Sequence, residues 1–227
     1  MKVLQWFSLA LLSGSLGAAA PLGAQTPLER GKKLFNLCAQ CHGDGGAGNH
    51  KIAAPAIAGL EGWYIEAQLH KFHDGARGKH PRDEAGNRMR PMAFTLKSND
   101  SGDDIAAVAS YVASLSKPSP EQQTLKQMVP ATLVGNPSKG REQYAVCVAC
   151  HGDKGQGNVQ MKAPGLVQLD DWYMLTQLKH FKEGVRGADP AKDPQGALMV
   201  PMAKNLADEQ AMLDVVSYIK SLGGTAP

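Results

Sequence analysis

Apolar residues recur along this chain at helical spacing, and they do so twice. Ile65, Leu69 and Phe72 fall on one face of a helical period, and Ile105, Val108, Val112 and Leu115 on a second. Downstream, Met174, Leu178 and Phe181, then Met212, Val215, Ile219 and Leu222, repeat both stripes. Start signals accompany them. Thr26 suits an N-cap, Pro27 the first helical position, and Glu29 the return arm of a capping box; Asn136 and Pro137 repeat the cap-then-proline pair. Gly75 and Gly184 stand where the middle helices should stop. No strand alternation of comparable strength occurs. The pattern predicts an all-α fold, with three main helices in each half joined by long loops.

The duplication extends beyond hydrophobicity. "LEGWYIEAQLHKFHDGARG" from Leu60 matches "LDDWYMLTQLKHFKEGVRG" from Leu169 at an offset of 109, and the shared positions include Trp63/Trp172, Tyr64/Tyr173, Gln68/Gln177 and Arg77/Arg186. The offset becomes 110 where "MRPMAFTL" from Met89 matches "MVPMAKNL" from Met199, and 107 where "VASYVASL" from Val108 matches "VVSYIKSL" from Val215. Small changes of offset are loop insertions between fixed elements. Residues 25–117 and 137–227 are therefore expected to be two lobes of one fold, joined by a linker over 118–136 that opens on the proline-rich, polar "PSPEQQ".

Composition adds a constraint. Of the 227 residues 43% are apolar but only 6% aromatic, so each small lobe must build its core with few rings. Lobes of that size often lean on a cofactor, a metal or a disulfide. Net charge is +3, with no basic stripe of the kind that tracks nucleic acid. The amino terminus carries Lys2, an apolar run from Val3 to Leu16, and small residues up to Ala24. This is the layout of a secretory signal peptide over residues 1–24, cleaved after Ala24 or within Ala18–Ala20. The mature chain is expected to be soluble, periplasmic and monomeric, without strong membrane binding.

All four cysteines lie in two copies of Cys-x-x-Cys-His: Cys38, Cys41, His42 and Cys147, Cys150, His151. A structural disulfide has no use for the histidine. A zinc site wants four ligands in a closed tetrahedron, and one motif cannot supply them. A redox dithiol of the thioredoxin kind needs a βαβ setting that this helical pattern lacks. Covalent haem accounts for every part: two thiols add across the porphyrin vinyl groups as thioethers, and the adjacent histidine reaches the iron. The opposite ligand should recur in both lobes. His50, His70, His73, His80 and His180 have no histidine partner in the other lobe, whereas Met89/Met199 and Met92/Met202 repeat. A thioether opposite histidine gives a low-spin iron of raised potential.

Together these motifs resemble the two-haem class I cytochromes c of the cytochrome c-four type, over nearly the whole mature chain. The resemblance implies two tandem class I cytochrome c domains, each wrapped around one covalently bound haem c, with the haems facing each other across the lobe interface. In that family the ligand methionine commonly precedes a leucine by seven residues, which selects Met89 before Leu96 and Met199 before Leu206, leaving Met92 and Met202 as packing. Trp63, Tyr64, Trp172 and Tyr173 are expected to pack on the haem or at the lobe interface, Arg77 and Arg186 to meet haem propionates, and the glycines from Gly43 to Gly48 to pass close to the porphyrin. The implied function is electron carriage, without substrate turnover, between a quinol-oxidising complex or exported dehydrogenase and a terminal oxidase or reductase. The alternatives are a dihaem peroxidase-like oxidoreductase or a fixed electron-transfer subunit of a larger complex. "RGKHPRDEAGNRMR" from Arg77 is basic where "RGADPAKDPQGALMV" from Arg186 is nearly neutral, so an acidic partner is expected on the amino-terminal lobe.

Overall fold

The computed structural model describes residues 25–99, 102–117 and 135–223; the expected signal peptide, nearly all of the linker and the last four residues lie outside these. The amino-terminal lobe contains α1 (Pro27–His42), a 3-10 turn (His50–Ile52), α2 (Gly62–His73), α3 (Glu84–Phe94), a two-residue hairpin of β1 (Ser98–Asn99) and β2 (Gly102–Asp103), and α4 (Asp104–Ser114). The second lobe follows the same plan with α5 (Pro137–Tyr144), α6 (Val148–His151), α7 (Asp171–Lys182), α8 (Pro194–Lys204) and α9 (Glu209–Leu222).

The start signals work as chemistry requires. Thr26 Oγ1 accepts from the Glu29 amide at 3.2 Å, and Glu29 Oε2 accepts from the Thr26 amide at 2.9 Å. Asn136 Oδ1 accepts from the amides of Ser138 and Lys139. Gly75 and Gly184 take φ of 75° and 70° just past α2 and α7, where a side chain would be strained.

One expectation needs correction. Each lobe has a further helix, α3 or α8, and it carries the Met-x-Pro-Met stretch. Pro91 and Pro201 sit inside these helices, which is why the sequence read as loop. The prolines are exposed, Asp83 and Asp193 cap the helices at Gly86 and Gly196, and Ala93 and Ala203 are fully buried, so the missing proline hydrogen bond is tolerated. Moreover, only α1 runs unbroken into its Cys-x-x-Cys-His. In the second lobe a turn over 145–147 separates α5 from α6. There Val146 and Val148 replace Leu37 and Ala39, and β-branched residues hold a helix less well.

α1 crosses α4, and α4 also packs on α2, as α5 and α7 pack on α9. The crossing is close because Gly31 and Gly140 lie at it; a Cβ on either would collide with the Ala107 or Asp214 carbonyl oxygen. Phe35, Leu69, Val108 and Val112 fill one core, and Tyr144, Met174, Val215 and Ile219 the other, within one continuous buried cluster. Among the described residues no helix is long and apolar enough to cross a membrane.

Candidate haem sites and the lobe interface

Each histidine of the repeated motif ends a helix and is buried. His42 Nδ1 lies 2.7 Å from the Pro55 carbonyl oxygen, and His151 Nδ1 lies 2.9 Å from that of Pro164. A carbonyl can only accept, so the ring proton sits on Nδ1 and the lone pair on Nε2 is left for a metal. Burial lowers the proton affinity of both rings against the Pro55 and Pro164 carbonyls, which favours the neutral, ligating form. The glycine loop completes the arrangement: the amides of Gly48 and Gly157 donate to the His42 and His151 carbonyls at 2.8 Å. Gly48 and Gly157 take φ of 81° and 82°, and a Cβ there would press on the Ala56 or Gly165 amide. These loops therefore pack on the strand of chain that orients the histidine.

The four cysteines are unpaired thiols. Burial and the neighbouring Cys150 push Cys147 up to about 11, and burial raises Cys38, the reverse of what activates a redox dithiol. Among the described residues no three His, Cys, Asp or Glu side chains converge on a metal-sized site. Cys38 and His42 are one turn apart on α1, with Cys38 half-buried against the core, so the motif presents one face toward the lobe interior. Met89 and Met92 are one turn apart on α3. Met89 packs against the core cluster, whereas Met92 is 37% exposed. Met199 and Met202 are both half-buried on α8.

Arg77 and Arg186 meet each other's lobes. Arg77 Nη1 donates to Gln68 Oε1 at 2.7 Å and Nη2 to Gln177 Oε1 at 3.2 Å; Arg186 donates to Gln177 at 2.7 Å and Gln68 at 3.0 Å. Their guanidiniums lie over Phe72 and Phe181. Tyr173 accepts from Arg77 at 3.4 Å, and burial beside Tyr173 pushes Tyr64 up to about 12, so both tyrosines belong to this interface. Both arginines are buried, with neutral hydrogen-bond partners and an unsatisfied Nε. Two buried cations with a donor to spare fit an anionic acceptor such as a haem propionate. The lobes interlock elsewhere too. The Ala56 amide donates to Asp170 Oδ2 at 2.7 Å, and the Gly165 amide to Glu61 Oε1 at 3.2 Å. Each acceptor thus holds, from the other lobe, the residue following the proline that orients a histidine.

The roles of Pro55/Pro164, Gly31/Gly140 and Asp83/Asp193 were missed in the sequence. Each pair is repeated at offset 109 or 110, so the duplication itself was the signal.

The family model for cytochrome c matches the chain twice, over residues 28–116 and 137–223. Cytochrome c-552 of Acidithiobacillus ferridurans is 31% identical over 95% of this chain and 86% of its own length. The thiosulfate dehydrogenase electron acceptor of Thiomonas intermedia is 33% identical over 87% of this chain and 82% of its own. The solved cytochrome c4 of Acidithiobacillus ferrooxidans superposes with a TM-score of 0.60 at 27% identity, covering 82% of this chain and 99% of that one. A doubled fold, a doubled motif and a doubled family match lead to one conclusion: the chain belongs to the cytochrome c family, as a dihaem electron-transfer protein of the cytochrome c4 type with two covalently bound haem c groups.

Proposed function

We propose that this chain is a periplasmic electron carrier. Cys38 and Cys41, and Cys147 and Cys150, anchor the two haems as thioethers. His42 and His151 would ligate iron through Nε2, Met89 and Met199 would supply its thioether ligands, and Arg77 and Arg186 would meet the propionates. When bound, each haem supplies a one-electron ferric–ferrous couple. The residues hold that couple in fixed geometry: the Pro55 and Pro164 carbonyls fix the imidazoles, and α3 and α8 present the thioethers. The observation that carries the reading is the equivalence of the two lobes, since each offers an oriented histidine and a methionine-bearing helix. A histidine and a methionine for each iron would leave no free position for peroxide chemistry and would keep reorganisation small.

Replacing Met89 and Met92 separately with alanine tests the ligand assignment. Met89→Ala is expected to halve the weak red charge-transfer band of the ferric His–Met iron and to lower one reduction potential. Met92→Ala is expected to keep both. The converse result would transfer the assignment to Met92, and a band surviving in both variants would remove methionine ligation from this lobe.

The donor is an exported dehydrogenase or a quinol-oxidising complex, and the acceptor a terminal oxidase or reductase. A relative named as the electron acceptor of thiosulfate dehydrogenase supports a dehydrogenase donor. The amino-terminal lobe exposes Lys79 and Arg88, and Arg88 donates to the Ile52 carbonyl at 2.9 Å; position 198, equivalent to Arg88, is leucine. An acidic partner is therefore expected to dock on the amino-terminal lobe. Its second-order transfer rate should fall as salt rises from 20 to 200 mM, by roughly tenfold for a steered encounter. A flat salt profile would overturn that docking mode.

A further inference from the structure

Asp83 and Asp193 each serve two lobes. Asp83 Oδ1 accepts from the Gly86 amide at 3.0 Å and so caps α3, while Asp193 Oδ1 accepts from the Gly196 amide at 2.8 Å and caps α8. Each carboxylate also faces the middle helix of the opposite lobe. Lys71 Nζ, on α2, lies 2.6 Å from Asp193 Oδ1, and His180 Nδ1, on α7, lies 3.9 Å from Asp83 Oδ1. Lys71 and His180 are equivalent positions of the duplication, as are Asp83 and Asp193. The interface is thus geometrically two-fold but chemically unequal, with a permanent cation at one end and a titratable one at the other.

We propose that each lobe positions the other's methionine-bearing helix through its capping aspartate, permanently for α8 through Lys71 and only when His180 is protonated for α3, so that the amino-terminal haem alone responds to pH. The inference rests on the reading that α3 and α8 carry axial methionines. The surroundings agree with it. Burial opposes ionisation of Asp193, and Lys71 overcomes this and holds it below the ordinary carboxylate value. Lys71 is itself lowered by burial and by Arg186 and Arg77, against the pull of Asp193. His180 faces Asp83, Arg77, Arg186 and, on its own helix end, Glu183, which pairs with Arg82. Burial lowers its affinity for a proton, Asp83 and Glu183 raise it, and the two arginines lower it, leaving the net value below that of a free imidazole.

The sign follows. A histidine whose folded value is lowered is neutral at neutral pH and takes its proton only as pH falls through that value. Protonating His180 in the folded protein therefore costs some stability as pH falls, while the ion pair with Asp83 that positions α3 forms only then. At low pH the new imidazolium pairs with the Asp83 carboxylate that caps α3, as Lys71 pairs with Asp193 over α8, and adds positive charge beside α3. Added positive charge favours the less positive, reduced iron.

The experiment follows the shifted methyl resonance of each ligating methionine in the reduced holoprotein by NMR, together with both potentials, as pH is lowered. The resonances are assigned with Met89→Ala and its second-lobe equivalent Met199→Ala. The amino-terminal resonance is expected to titrate, with a threefold or larger rise in the equilibrium constant for reducing that haem, roughly 30 mV for a one-electron couple. The second lobe should stay flat. His180→Lys should abolish the response, the neutral His180→Gln should do the same, and Lys71→His should create one in the second lobe. A pair of resonances indifferent to pH, or a response unchanged in both His180 variants, would overturn the inference alone. Absence of any shifted methionine resonance would sink the methionine reading and this inference with it.

Discussion

Replacing Cys147 and Cys150 together with serine is expected to give a protein with one haem per chain and a second lobe that no longer melts cooperatively. The first effect follows from chemistry, since a serine hydroxyl does not form the thioether. The second follows from packing. Between 135 and 223 the core rests on Tyr144, Met174, Leu175, Met212, Val215 and Ile219, with few rings and no disulfide among the described residues. A lobe of that size buries a modest share of its surface, and loss of a large apolar cofactor removes a share it cannot spare. Haem content from the alkaline pyridine spectrum should fall from two to one, and mass by one haem. The amino-terminal lobe should keep its spectrum but lose thermal stability, because Lys71, Arg77 and Ala56 all have partners across the interface. Retention of two covalent haems would overturn the assignment of these cysteines. The same pair of substitutions at Cys38 and Cys41 should spare the second lobe's haem.

How much of this was legible in the sequence depended on the kind of information needed. Helical stripes and caps are local, so α2, α4, α7 and α9 and the box at Thr26 could be read directly. The haem motif was legible because its spacing encodes a covalent chemistry, and its duplication removed the alternatives. α3 and α8 were hidden because Pro91 and Pro201 argue against helix locally, while what stabilises them comes from elsewhere: Asp83 and Asp193 from the preceding loops, and the other lobe beyond. The break between α5 and α6 was present in the sequence as Val146 and Val148, but propensity is too weak a guide to fix such a boundary. The interface lies further from sequence still. Gln68 and Gln177 were visible as repeated residues, yet nothing in one chain segment says that an arginine in the other lobe will need them. Arg77 and Arg186 were read toward propionates; their protein partners turned out to be each other's lobes, with only Nε left for an anion.

Gly31→Val is expected to cost the amino-terminal lobe about 3 kcal/mol or more, and Gly140→Val a similar amount in the second lobe. Two effects oppose each other here, and their sizes decide the outcome. Glycine in a helix interior is worse than alanine by ~1 kcal/mol, so on propensity alone even Gly31→Ala should stabilise α1. But a Cβ at Gly31 collides with the Ala107 carbonyl and presses on the Tyr111 Cβ, and one at Gly140 meets the Asp214 carbonyl and the Tyr218 Cβ. These are largely backbone atoms of α4 and α9, which no rotamer change can move aside. Relief requires α1 to lift from α4, and that opens the contact between Phe35 and the buried Val108 and Val112. Overpacking against a fixed backbone costs more than the propensity gain, so alanine should already destabilise and valine more so. For a lobe of this size a loss of about 3 kcal/mol lowers Tm by roughly 12–24 °C. Gly62 provides the internal comparison: a Cβ there meets its nearest atom, the Ala113 Cβ, at 3.6 Å, an ordinary contact. Gly62→Ala should therefore leave Tm unchanged or raise it slightly. If Gly31→Ala behaved like Gly62→Ala in thermal melts followed in the near-ultraviolet, the close crossing of α1 and α4 would not be the feature that fixes glycine at this position, and the matching glycine at 140 would need another explanation.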